Sequence, residues 1–161
     1  MAFVSKDDKA RLAPGIKAVL KKYNMKGTIA VRHHSTLVVN IKSGELDVLG
    51  AWKTAALNSN KIDMYNKYDV ERLNYVLAEN HMTVNTYWID DDFADKKVVN
   101  FLNELKEAME GDQFFNEDDP MTDYFHRSHY TDINIGSWTK PYECTSETKT
   151  FAPVECLEVA A

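Results

Sequence analysis

The sequence predicts an α+β fold, a small and mainly antiparallel sheet in the order α-β-β-α-β-α-β with helices packed on one face. Three observations carry that reading. Short runs rich in Ile, Val and Leu recur between turn residues, at Thr28 to Arg32, Thr36 to Lys42 and in YTDINIGSW. Apolar residues recur at helical spacing in two long segments, one near the start of the chain and one around Val98 to Met109. The chain has 161 residues, 44% of them hydrophobic, which suits one domain over 1–161 with a core of its own.

The elements follow in order. Ser5 with Asp8 three residues on is a helix start, and Leu12, Ile16, Val19, Leu20 and Tyr23 continue as one stripe. Pro14-Gly15 predicts a kink there, or two short helices in succession. A β-hairpin over 26–44 comes next, its strands joined by the polar residues around His33 to Ser35. LDVLGAWKTAALN suggests a helix and NSNKIDMYNKYD a polar loop; Asp69 is placed as the cap of a helix carrying Val70, Leu73, Val76 and Leu77. A third strand is expected from Met82 to Trp88. Asp90-Asp91-Asp92 is read as the acidic start of the clearest helix, whose stripe is Val98, Phe101, Leu102, Leu105 and Met109 and whose stop is Gly111. After an acidic loop, Ile133 and Ile135 share one face of a last strand. Residues 142–161 form a loosely patterned tail in which TFAPVECLEV is a candidate edge strand.

Composition narrows the function classes. No apolar run reaches the length of a membrane span, and MAFVSKDDK lacks a signal-peptide core, so a cytoplasmic protein is expected. Cys144 and Cys156 form no zinc-type pair and are expected as free thiols. The net charge of -6 is unevenly spread: residues 1–80 hold 13 Lys/Arg against 8 Asp/Glu (+5), and residues 81–161 hold 6 against 17 (-11). Such asymmetry suits either two differently charged partner surfaces or two wet faces of one domain.

Two clusters have the residue types of chemistry. Arg32-His33-His34-Ser35-Thr36 offers a base beside a hydroxyl, but neighbours on a strand point to opposite faces, and no GxSxG elbow or third catalytic member exists. Turn chemistry alone accounts for the cluster. The second holds Asp123, His126, His129 and Asp132; His126, His129 and Asp123 are a candidate divalent-metal set, with imidazole and carboxylate suited to zinc, manganese or iron. Its spacing lacks the glutamate of HExxH. No cofactor motif is present, so no cofactor is expected. For nucleic acid, the candidate residues are Lys17, Lys21, Lys22, Arg32, His33 and His34, a basic helix that tracks phosphates beside rings that stack.

Three blocks carry a resemblance: APGIKAVLKKYNMKGTIAVRHHSTLVVNIKSG (Ala13 to Gly44), VNTYWIDDDF (Val84 to Phe93) and MTDYFHRSHYTDINIGSWTKPY (Met121 to Tyr142). Together they resemble a family of small, largely uncharacterised proteins of tailed bacteriophages. The first block is also similar to a domain type fused within large polyvalent proteins of phages and mobile elements. Residues 45–80 lie outside these blocks and read as an insertion. The resemblance implies a context, the infected cell, and a mode, stoichiometric binding of a host or phage macromolecule, but no catalytic residues. A protein target suits the aromatic residues of the acidic half. Tyr124, Phe125, Tyr130 and Trp138 are the candidate interface, although at least half of a wider set with Tyr87 and Trp88 is expected in the core. The readings that remain open are a protein-binding accessory factor, a nucleic-acid-binding module and a metal-dependent enzyme.

Overall fold

The computed structural model describes residues 2–119, 121 and 126–158. The chain opens with helix α1, Lys6–Lys22, started by a reciprocal capping box in which Ser5 Oγ accepts from the Asp8 amide and the Asp8 carboxylate accepts from the Ser5 amide, each at 3.0 Å. These bonds to Ser5 hold the Asp8 carboxyl below the ordinary carboxylate range. Of the two outcomes predicted at Pro14-Gly15, two short helices in succession do not occur: one helix runs through. Pro14 and Ala10, whose carbonyl loses its helical partner, both lie on the exposed side, open to solvent. Leu12, Ile16 and Leu20 pin the opposite side to the core.

The predicted hairpin follows as β1, Met25–Arg32, and β2, Thr36–Gly44. The remaining elements are α2, Val48–Leu57; α3, Lys67–Ala78; β3, Met82–Val84; α4, Ile89–Asp92; α5, Lys96–Glu110; β4, Tyr130–Ile135; and β5, Glu143–Cys144. Strand order is β1-β2-β4-β3, with β5 beside the end of β2. The α+β class and the helices on one face are as expected, but the sheet is mixed. β1–β2 and β3–β4 are antiparallel, whereas the central β2–β4 pairing and β2–β5 are parallel. The crossover through four helices and β3 brings the chain back to β2 in the same direction, which a parallel pair requires.

Alternation along the strands builds the core. Leu37, Val39 and Ile41 of β2, Ile133 and Ile135 of β4, and Met82 and Val84 of β3 share one face. Against them lie Leu12, Ile16 and Leu20 of α1 and the α5 stripe Val98, Phe101, Leu102, Leu105 and Met109. The opposite face is more polar, though it also carries Ala30 and the buried Val38. Its rung Thr28–Asn40–Asn134–Thr83 is tied by Asn134 Nδ2 donating to Asn40 Oδ1 at 2.9 Å and Thr83 Oγ1 donating to Asn134 Oδ1 at 3.0 Å.

Several boundaries move from their predicted places. Asn66, not Asp69, caps α3. The third strand stops at Val84 because Asn85 Oδ1 accepts the Tyr87 amide at 3.1 Å and turns the chain away. The acid run Asp90-Asp91-Asp92 forms the single turn α4, and α5 starts separately behind its own cap, Asp95. Residues 45–80 are not merely appended, since Leu46, Val48, Leu49 and Ala51 belong to the core cluster. TFAPVECLEV forms no edge strand among its described residues. Instead Asn74 holds Val154 through two bonds of 2.9 and 2.8 Å, a side-chain amide taking the place of a ladder partner. Gly136, at φ 69°, makes the turn after β4, where a Cβ would sit 2.5 Å from the Tyr142 amide nitrogen. Among the described residues no helix is long and apolar enough to cross a membrane.

Candidate functional site

The hairpin tip is built on a strained turn. Ser35 N–H donates to the Arg32 carbonyl at 3.3 Å, and the two central residues, His33 and His34, have φ of 53° and 57°. Positive φ at both central positions is the mark of a type I′ turn, which ordinarily takes Asn-Gly. The predicted split of the two rings by strand alternation therefore does not arise, because neither histidine is on a strand. Val4 N–H donates to the His34 carbonyl at 2.7 Å and ties the N-terminal segment across the tip. The double substitution His33→Asn with His34→Gly, which supplies the preferred pair, should therefore raise stability by about 1 kcal/mol. A urea midpoint that stays put or falls would show that the rings contribute to the fold.

The predicted nucleic-acid set divides between two places. Lys17 and Lys21 flank a shallow groove with Lys26 at the C-terminal end of α1. Arg32, His33 and His34 are exposed at the other end of β1, which at about 3.3 Å per residue is about 23 Å away. Two of the six cations and rings are committed elsewhere. Lys22 Nζ binds Glu104 Oε1 at 2.5 Å, and Arg32 pairs with Asp132 across the sheet. Glu104 also accepts from the Tyr23 hydroxyl. Lys22 first and Tyr23 second hold the Glu104 carboxyl below its ordinary range.

Two members of the predicted metal set, His126 and His129, fall among the described residues. His129 is buried, 6% exposed, and its Nε2 donates to the Met109 carbonyl at 2.8 Å near the end of α5. His126 Nε2 lies 3.8 Å from Glu117 Oε2. Asp123 lies outside the described residues. Among the described residues no group of three His, Cys, Asp or Glu side chains is arranged to hold a metal ion, so His33, His34, His126 and His129 do not converge on one. Cys144 and Cys156 are both free.

Of the predicted interface, Tyr124 and Phe125 lie outside the described residues. The expectation that at least half of the wider aromatic set lies in the core does not hold: Tyr87, Trp88, Tyr130 and Trp138 are all exposed, Trp138 to 84%. Three further aromatics, Tyr65, Tyr68 and Tyr75, are exposed around α3. Tyr68, Arg72 and Tyr75 stand at i, i+4 and i+7, opposite the buried Val70, Leu73 and Leu77. That spacing is legible in KYDVERLNYVLA as a second, aromatic stripe.

A cleft of about 520 Å³ opens where β3 leaves β4. Its lining includes Val84, Phe114 and His129, Tyr87 and Arg127, and Lys106 and Glu110 of α5, with Lys106 Nζ 5.9 Å from the Tyr87 ring centroid. Arg127 is fixed there by Asp118, with Nε donating to Oδ2 at 2.8 Å, and its guanidinium lies 4.5 Å from the Tyr130 ring centroid. The bond to Asp118 raises the Arg127 pKa still further above neutrality. No family model, curated protein or solved structure matches the chain.

Proposed function

We propose that the chain is a bacteriophage accessory protein that works by stoichiometric, non-catalytic binding to a host or phage protein in the cytoplasm of the infected cell. The observation that carries this reading is the exposure of Tyr68, Tyr75, Tyr87, Trp88 and Trp138. Tyr, Trp and Arg are the side chains that most often dominate binding energy at protein interfaces, and exposed groups of them mark binding surfaces. Arg72 lies between two of these tyrosines on α3. The nucleic-acid reading is weaker on the same grounds, since Lys22 and Arg32 are paired with Glu104 and Asp132.

Affinity capture from lysate of the host cell tests the proposal. The wild-type chain is expected to retain a partner near one-to-one, and a variant with Tyr68, Tyr75, Tyr87 and Trp138 all changed to Ala to lose it. Each truncated anchor removes about 2 kcal/mol of binding, so the loss should exceed a hundredfold. Equal retention by a variant that melts like the wild type would sink the reading.

A further inference from the structure

We infer that the cleft beside β4 takes a short extended peptide of a partner protein, added to the sheet as a strand antiparallel to β4. This rests on the protein-binding reading and gives it a mode. The argument begins with which way the β4 backbone faces. Tyr130 N–H donates to the Ser35 carbonyl and Gly136 N–H to the Ile41 carbonyl, so the even-numbered amides of β4 point to β2. By alternation the odd-numbered ones point to the other edge. There Ile135 and Ile133 pair with Met82 and Val84 of β3.

The next hydrogen-bonded position on that edge is Thr131, and its partner is missing. Continued in register, β3 would place Thr86 opposite Thr131. Instead the Asn85 side chain accepts the Tyr87 amide, and the Asn85 carbonyl accepts the Trp88 amide at 3.1 Å, so the chain peels off after Val84. Among the described residues no hydrogen bond reaches the Thr131 backbone N–H or C=O from that side. Thr131 nevertheless lines the cleft. An edge amide and carbonyl that point into a walled slot are matched by one chemistry above others, another extended backbone.

The slot also says what the peptide carries. Tyr130 to Asp132 leave about 10 Å of open edge, room for three residues at about 3.3 Å each. The middle one, opposite Thr131, shares the core-side face and sits over Val84, Phe114 and His129, which calls for an apolar side chain. Its two neighbours fall on the polar face beside Tyr130 and Asp132. Arg127, Lys106 and Asp132 each have an opposite charge nearby (Asp118, Glu110 and Arg32), so the flanking residues are polar and need no particular charge. Antiparallel addition is favoured because one peptide residue then exchanges both of its hydrogen bonds with Thr131.

A library of acetylated hexapeptides selected on the immobilised full chain, followed by amide NMR of the ¹⁵N-labelled full chain, tests this. Enriched peptides should share an apolar residue at one position with polar neighbours, and should shift and protect the Thr131 amide more than any other, slowing its exchange at least tenfold. Backbone N-methylation of that apolar residue should abolish binding, while N-methylation of either neighbour should leave it. Thr131→Pro should weaken binding at least tenfold; its lost N–H faces away from β2, and the N-methyl pair decides the matter even if the variant fails to fold. Peptides that shift α3 instead, or that bind equally when N-methylated, overturn strand addition and leave the protein-binding reading standing. A Thr131 shift that grows with protein concentration and no peptide overturns it in favour of a second copy. No enriched peptide also overturns it, and lysate capture then judges the protein-binding reading by itself.

Discussion

Phe101→Ala is expected to lower the free energy of unfolding by about 3–5 kcal/mol, the largest effect of any single truncation in this core. Phe101 is fully buried in the middle of the α5 stripe and meets the Tyr23 ring edge-on, with centroids 5.2 Å apart. The change removes an aromatic side chain that neighbours cannot collapse to replace. It also frees Tyr23, whose hydroxyl reaches Glu104, so the α1–α5 contact loosens as a unit. Chemical denaturation followed by tryptophan fluorescence measures it. A loss below about 1.5 kcal/mol would mean that the site repacks, with α1 moving toward the gap.

Asp118→Ala should cost about 3 kcal/mol although it lies in a loop. Its carboxylate and the Arg127 guanidinium are both largely covered, with 11% and 15% of their side-chain surface exposed, and bind through two guanidinium nitrogens. Truncation leaves a covered cation whose opposite charge is gone. One carboxylate oxygen, Oδ1, is already buried and has no hydrogen-bond partner among the described residues, so the pair is not optimised for stability by itself. Replacing both members, Asp118→Leu with Arg127→Met, should therefore recover most of the loss. A double variant as unstable as the single one would show that the pair's geometry, not its charge balance, holds the loop. Either way, protection of the Phe115 and Ser128 amides from hydrogen exchange should fall, since their mutual bonds sit beside this pair.

The parts of the fold legible in the sequence are those set by local pattern. The α1 capping box, the hairpin and the α5 stripe each follow from residues within a few turns of one another. What the pattern did not reveal is non-local. Nothing near β2 announces that its second neighbour is β4, a strand that pairs parallel to it from the far end of the chain. Single side chains decided the misplaced boundaries: Asn85 ended β3 and Asn66 displaced Asp69 as a cap. At the hairpin tip the polar composition pointed correctly to a turn, but only the backbone angles show that His33 and His34 occupy positions suited to Asn and Gly. The charge asymmetry was plain, yet its use was hidden. Arg11–Asp112, Lys22–Glu104 and Arg32–Asp132 each join a cation of the first half to an acid of the second, so part of the imbalance is neutralised inside the fold. The cleft was not legible, because it consists of a strand that stops early beside one that does not.

The parallel pairing of β2 with β4 sets a timetable for synthesis. Asn40 and Asn134, bonded across it, are 94 residues apart. At roughly 5–20 residues per second, a ribosome needs about 5–20 s to travel that distance. Throughout that interval β2, whose Leu37, Val39 and Ile41 end up almost wholly covered, has the β1 hairpin on one flank and no strand on the other. A nascent chain halted anywhere before Tyr130 carries an apolar strand with a bare edge, the form most prone to pair with a neighbouring polypeptide. Slower translation past β2 is therefore expected to lower the yield of folded chain even where final stability is unchanged.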